Sequence, residues 1–419
     1  MQPPPLKDDC FAMPPGVDWT PVDTALVQLR DRLHAVTPVE TVALAAAGGR
    51  ILAQDVSANR SSPPYANSAV DGYGLAHAGL PNGEICTLPL AQGRAAAGGP
   101  LEGKLPDGHA VRILTGARLP EAVDTVVLEE DCSVEADRIA FRSGLRQGAN
   151  TRKAGEDVAK GAVVLARGRR LQPQDLALLA SVGVAEVPVC RRLRVAVLST
   201  GDEVLDIAAG PAKDAQIYDA NRPMLLHVLQ RWGYDAVDLG HVQDDPAMVE
   251  DAFRNGAAQA DAIITSGGAS AGDEDHVSAV LKAKGGLQNW RIAMKPGRPL
   301  ALALWDGVPV FGLPGNPVAA LVCTLIFARP ALGVLAGAGW LAPQGFSVPA
   351  AFGKSKKAGR REYLRARIRD GRAEVYHSEG SGRISGLSWA EGLVELGDGA
   401  QDVGQGDLVT FYPYGAFGL

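Results

Sequence analysis

Between Arg194 and Phe327 the chain alternates strand-like and helix-like runs, and this alternation constrains the fold more than any other feature. Arg194–Ser199 (RVAVLS) is the kind of apolar run found in strands covered on both faces. Asn221-Arg222-Pro223 then opens a helix through Trp232, closed by Gly233. Val237–Val242 reads as a strand, Asp244-Asp245-Pro246 opens another helix, and Ala262–Ser266 is a strand ending in Gly267-Gly268. His276–Lys284 is helical. Leu300–Trp305 and Val308–Leu313 form a hairpin around Asp306-Gly307, followed by an apolar helix over Val318–Phe327. Strands joined through helices predict a parallel sheet with helices on both faces.

The 419 residues exceed what one hydrophobic core ordinarily holds. Upstream, Val22, Leu26, Leu29 and Leu33 recur at helical spacing after Thr20-Pro21, and a second helical run is expected over Val39–Leu52. Short β-like runs (Cys86–Leu90, Ala110–Leu114, Thr125–Leu128) follow, and Pro173 and Gly183 bracket a further helix. We therefore expect an elongated helical domain from 1–55 and 150–190, with a β-rich domain inserted at 56–149. The α/β domain spans 191–338, and short alternating runs over 339–419 suit a small C-terminal β-barrel.

A net charge of -6 excludes a global basic field for nucleic acid or an anionic membrane surface. No stretch reads as long and apolar enough to span a bilayer. The first 19 residues hold five prolines and several acids where a signal peptide needs an apolar core, so they read as a loose lead-in. Five scattered cysteines without a CxxC pair suit reduced thiols in the cytoplasm, and seven scattered histidines show no zinc-ligand spacing.

In open α/β sheets, ligands bind beyond the carboxyl ends of the strands. Four loops there carry chemistry: Thr200-Gly201-Asp202-Glu203, the run from Gly267 and Gly268 through Ser270 to Asp275, Lys295-Pro296-Gly297-Arg298-Pro299, and Pro314-Gly315-Asn316-Pro317. The glycine pair lets backbone N–H groups approach a phosphate. Lys295 and Arg298 flank a rigid turn and suit a tetrahedral oxyanion. Asp202, Glu203, Asp244, Asp273 and Asp275 are hard oxygen donors suited to Mg²⁺. Each has a plainer reading: a tight turn for the glycines, a solvated turn for KPGRP, and a helix N-cap for Asp244. No P-loop or dinucleotide fingerprint is present.

Asp71 in SAVDGYG, Thr115 after a strand-like run, and Arg152 and Asp157 in RKAGEDV are either turn residues or a second site component. The latter would require domain folding or a second subunit. Residues 354–372 hold nine basic and two acidic side chains. Arg365, Arg367 and Arg369 alternate with apolar neighbours on one strand face, as a solvated face or an anion-guiding rim.

The segments PPYANSAVDGYG, RILTGARLP, DTVVLEED, RKAGEDV, RVAVLSTGDEV, DAIITSGGASAGDED, WRIAMKPGRPLA, VFGLPGNPVAA and GRREYLRAR together resemble the molybdopterin molybdenumtransferase family, the MoeA-type proteins and the equivalent domain of gephyrin. The resemblance runs from about residue 20 to the end. It implies a multidomain α/β and β architecture. An elongated helical domain, an inserted β domain, an α/β domain akin to the MogA-like molybdopterin adenylyltransferase and a C-terminal β-barrel make it up. It implies a homodimer with a shared active cleft, bringing Asp71 and Thr115 of one chain to the crevice of the other.

The implied reaction takes adenylyl-molybdopterin and molybdate to molybdenum cofactor and AMP, with Mg²⁺. Asp71, Thr115, Asp157, Glu203, Asp244, Asp275 and Lys295 match catalytic positions. Arg152, Gly267, Gly268, Ser270, Arg291, Arg298, Pro299, Arg361 and Ser381 match substrate-binding ones. Glu203, Asp244 and Asp275 match the metal set. Lys295, Arg298 and Pro299 would frame the molybdate pocket with Arg361 and Ser381. Two features depart from the family: Ala269 and Ala271 replace valines, and Arg298 replaces a second lysine, which changes donor geometry. Molybdopterin adenylyltransferase and apo-molybdoenzymes are the implied protein partners. The rival functions are adenylylation of molybdopterin by ATP, the preceding step, and a non-catalytic scaffold.

Overall fold

The computed structural model describes residues 19–267, 276–284, 288–297 and 299–419. The chain forms two compact units, one of residues up to Glu40 with those from Cys190 onward, the other of Thr41–Val189.

The first unit holds a six-stranded sheet in the order Asp235–Val242, Arg194–Thr200, Ala262–Ser266, Val308–Leu313, Pro299–Trp305, Gln288–Arg291. The first four strands are parallel and the last two antiparallel, so the sheet is mixed rather than wholly parallel. Asp306-Gly307 makes the expected turn, with positive φ at both residues. Ala196, Leu198, Ile263 and Val310 bury one face under helices Pro246–Gln259 and His276–Lys284, where Phe253 stacks on Trp305 at 5.4 Å. Helices Asn221–Arg231 and Pro317–Cys323 pack against strands of the same sheet. The run Pro317–Leu335 corrects one expectation. It is 19 residues, long and apolar enough to cross a membrane by length and composition. It is 89% buried within the protein, so the core accounts for its apolarity. A π turn at Thr324–Ala328 interrupts it just before Pro330, which lacks the N–H that a regular helix needs there.

The same unit carries a second sheet in the order Met294–Lys295, Arg361–Arg369, Gly392–Leu396, Leu408–Pro413, Phe346–Pro349. Arg372–Val375 pairs with Arg361–Arg369 as a hairpin, and Leu364, Ala366, Val394 and Phe411 fill its core. Lys295 thus enters this second sheet, registered opposite Glu362.

The other unit is β-rich, as expected for its middle. Its six-stranded sheet runs Thr125–Leu128, Gly72–Leu75, Ala110–Ile113, Ile85–Ala95, Arg138–Arg142, Cys132–Glu135. The helix expected over Val39–Leu52 is instead strand Val39–Ala43, a 3-10 turn at Leu44–Ala46 and strand Ile51–Leu52, both strands flanking Glu186–Cys190. β-branched Val39, Thr41 and Val42 favour extended backbone, and Gly48-Gly49 breaks the run. Of 150–190, only Pro173–Ser181 is α-helical, opened by a capping box between Gln172 and Asp175. Helix Val22–Arg32, with which the expected helical domain began, belongs to the first unit.

Candidate active site

Strand register in the mixed sheet brings several loops to one edge. Thr200 aligns with Val242, Ser199 with Ser266, and Ser266 with Leu313. The antiparallel pairs place Ala301 opposite Gly312 and Arg291 opposite Pro299. The segments after Thr200, Val242, Ser266, Arg291 and Leu313 therefore leave from the same end, the carboxyl edge of the parallel strands. Gly268, Ser270, Asp275 and Arg298 lie outside the described residues.

The described loops touch. Gly267 has φ +96°, and a Cβ there would stand 2.6 Å from the Thr200 carbonyl oxygen, so only glycine fits between the two strand ends. A Cβ on Gly297, also at φ +96°, would meet Cys323 Sγ at 2.8 Å and Pro314 Cγ at 3.7 Å. The Lys-Pro-Gly turn thus rests on helix Pro317–Cys323 and on Pro314 ahead of it. Burial pushes the Cys323 thiol up to about 12, so no thiolate nucleophile lies beneath this turn. Asn221 ties two loops together by donating to Ser266 Oγ at 2.7 Å and to the Gly315 carbonyl at 2.6 Å. Among the described residues, its Oδ1 and Thr200 Oγ1 are buried without a hydrogen-bond partner. Asn221 was read from sequence only as a helix opener. Its position directly after a strand-to-helix connection was the available signal.

Lys295 is nearly buried and points at two carboxylates, pairing with Glu379 and approaching Glu362 at 3.9 Å. Lys354 contacts the same two, Glu362 at 3.1 Å and Glu379. Lys295, Pro296, Val318, Arg365 and Glu379 line a small cleft. Ser381 accepts from Val318 N through its carbonyl at 3.1 Å, which brings its loop to the same helix start. Arg365 organises that loop, donating to the carbonyls of Ser378, Gly380 and Arg383 while stacking on Tyr376. Arg361, one residue from Glu362, faces the other way. Its guanidinium holds Asp23 at 2.7 and 2.8 Å and Asp398 at 3.0 Å, so it braces the helix Val22–Arg32 and is not brought to Lys295. Arg367 and Arg369 likewise have carboxylate partners, Glu374 and Glu391, and form no open cationic rim. Arg291 is exposed, and its carbonyl accepts from Thr20 N.

Acidic groups gather at the neighbouring strand ends. Asp245, not Asp244, caps the helix at Pro246, accepting from Ala247 N and Met248 N. Asp244 instead donates its backbone N–H to Asp202 Oδ1 at 3.0 Å. Burial, then the charges of Asp202 and Glu203, push the Asp244 carboxyl above the usual carboxylate range. Glu203 itself is exposed, on the loop that also carries strand Val204–Leu205.

In the second unit, Asp71 accepts two hydrogen bonds from Thr115, from its N–H and its hydroxyl, each 2.7 Å. They hold the Asp71 carboxyl below the usual range. Arg152 is registered opposite Asn67, and Asp157 donates its N–H to the Ser62 carbonyl at 3.1 Å. The four residues expected here therefore sit on segments tied to residues 62–72.

Known proteins match this architecture along its length. A family model described as the MoeA N-terminal region (domain I and II) matches residues 20–183. A probable molybdopterin binding domain matches 196–333, and the MoeA C-terminal region (domain IV) matches 347–414. A molybdopterin molybdenumtransferase of Haemophilus influenzae is 37% identical over 400 residues, covering 94% of this chain and 98% of that protein. Molybdopterin molybdenumtransferase 2 of Mycobacterium tuberculosis is 33% identical, covering 90% and 95%. The crystal structure of the molybdopterin biosynthesis MoeA protein from Pyrococcus horikoshii superposes with a TM-score of 0.82 at 26% identity, covering 95% of this chain and all of that one.

Proposed function

The chain belongs to the MoeA-type molybdopterin molybdenumtransferase family, and on that premise we propose that it inserts molybdate into adenylylated molybdopterin, releasing AMP and leaving the molybdenum cofactor. One observation carries the residue assignment: the turn bearing Lys295 emerges at the same sheet edge as Gly267 and the loop that starts the helix at Pro317. Lys295, with Arg298, holds the oxyanion by charge. The backbone at Gly267 and Gly268 approaches the phosphate link, and Asn221 and Thr200 offer buried polar atoms beside it. Catalysis is electrostatic, with no covalent nucleophile.

Mg²⁺ is the cofactor of this reading. The donor chemistry suits it, since Asp244 sits among carboxylates whose mutual repulsion a divalent cation relieves. Glu203 and Asp244, with Asp275, would hold the ion, although among the described residues no three His, Cys, Asp or Glu converge as a finished site. When bound, it would neutralise charge on the pyrophosphate link. The reading also includes a cytoplasmic homodimer with a shared cleft, the division into four domains, and closure of the C-terminal sheet as a small barrel. The test is molybdate-dependent AMP release from adenylyl-molybdopterin by the whole chain. Lys295→Ala should lower it about 100-fold or more, the scale of losing one charged transition-state contact. Adenylylation of molybdopterin from ATP in the absence of molybdate would point to the preceding step instead.

A further inference from the structure

Two lysines and two glutamates meet at the cleft beside the Lys295 turn, and they are not equivalent. Lys295, Lys354 and Glu362 have side chains only 13%, 13% and 9% exposed, whereas Glu379 is 39% exposed. The first three stand on paired strands: Met294–Lys295, Lys354–Lys356 and Arg361–Arg369. Glu379 stands on the irregular segment between strand Arg372–Val375 and helix Ser385–Trp389. It reaches both lysines with one carboxylate, a separate oxygen on each. Its backbone is held on either side, because the carbonyls of Ser378 and Gly380 accept from Arg365. The side chain can therefore turn away without the loop moving. Glu379 also lines the cleft together with Lys295.

The charges give this arrangement a direction. With Glu379 in place the four side chains sum to zero; with it turned out their remainder carries one positive charge, and buried Arg365, which lines the same cleft, adds to it. That remainder is two lysines against one fixed glutamate. Burial alone would raise the Glu379 carboxyl, but the bonds to Lys295 and Lys354 outweigh it and keep it ionised. A carboxylate bridging two ammonium groups offers them two anionic oxygens, as a tetrahedral oxyanion also can.

We propose that Glu379 is an internal counter-anion occupying the Lys295–Lys354 oxyanion seat, which an incoming molybdate must displace. Lys354 is then a second cation of that seat, and Glu379 a specificity-determining residue. Singly charged anions do not replace the bridging carboxylate, while a doubly charged tetrahedral oxyanion does. This rests on the reading of Lys295 as the oxyanion holder.

The experiment is isothermal titration of molybdate, with sulfate and chloride as comparison anions, into the whole chain and its variants. Glu379→Gln and Glu379→Ala should each bind molybdate about tenfold tighter than the unaltered chain, one decade being about 1.4 kcal/mol. Their preference for molybdate over chloride should narrow. Lys354→Gln should bind about tenfold weaker. Tightening is the telling sign, because loss of a merely structural ion pair would loosen the site. If both Glu379 variants bind no tighter while Lys295→Ala still abolishes binding, the counter-anion role is overturned and the oxyanion reading stands. If Lys295→Ala binds as well as the unaltered chain, that reading falls, and this proposal with it.

Discussion

Asp244 is a carboxyl whose surroundings work against its own charge. Its ionised form is disfavoured by burial and by the nearby charges of Asp202 and Glu203. An acid with a raised folded pKa binds its proton more tightly in the native than in the unfolded chain. Its contribution to stability is therefore complete below the unfolded value of about 3.9 and is lost as pH rises through the raised folded value. Asp244→Asn should accordingly raise Tm at pH 7 and give no gain at pH 3. Mg²⁺ should stabilise the unaltered chain more than the variant. Calorimetric scans at the two pH values, with and without Mg²⁺, check both, and equal Tm at pH 7 would contradict the crowding. The sequence named Asp244 as either N-cap or ligand. Pro246 at the first helical position removes the N-cap reading, because the cap must immediately precede it and so falls on Asp245. Glu379 left no such trace: its partners lie 84 and 25 positions away, and only the fold joins them.

At the level of elements, the strand ends are held by steric closeness as much as by hydrogen bonds. Gly267 ends its strand in left-handed backbone and leaves no room for a methyl group beside the Thr200 carbonyl. Gly267→Ala should therefore cost about 1–3 kcal/mol, the scale of one forced backbone outlier. Activity should fall with it, since the loop beyond would shift. Urea unfolding gives the first quantity, and an unchanged midpoint would show that the turn can relax. The turn at Gly267 was legible because a strand-like run stopping at glycine has few structural readings. The alternation over 194–327 was legible for the same kind of reason, each apolar run having turn residues at its ends. Val39–Leu52 was misread because an alanine-rich run fits helical spacing, while its pairing with Glu186–Cys190 lies far along the chain. The mixed ending of the sheet followed from the Asp306-Gly307 hairpin, which forces Pro299–Trp305 to run against Val308–Leu313.

On the scale of the whole molecule, apolar burial is partitioned. Phe253, Ile263 and Leu281 pack in one cluster of the α/β sheet, Leu364 and Phe411 in another under the C-terminal sheet. Leu52, Leu171 and Leu179 form a third cluster, and Leu75, Ile139 and Phe141 a fourth, both within Thr41–Val189. Chain connectivity hides this partition from a linear reading, because the residues up to Glu40 join those from Cys190 onward across the intervening unit. Cores that share few side chains need not melt together, and a chain of this size departs readily from two-state unfolding. Scanning calorimetry should therefore resolve more than one component. Phe253→Ala removes a fully buried ring that packs on Trp305, and should destabilise its own component by about 3–5 kcal/mol. The component belonging to Thr41–Val189 should keep its midpoint, because Phe253 packs in a cluster drawn from the first unit. A uniform downward shift of every component in the variant would mean that the units unfold as one cooperative body, and that the separation of cores is geometric without being energetic.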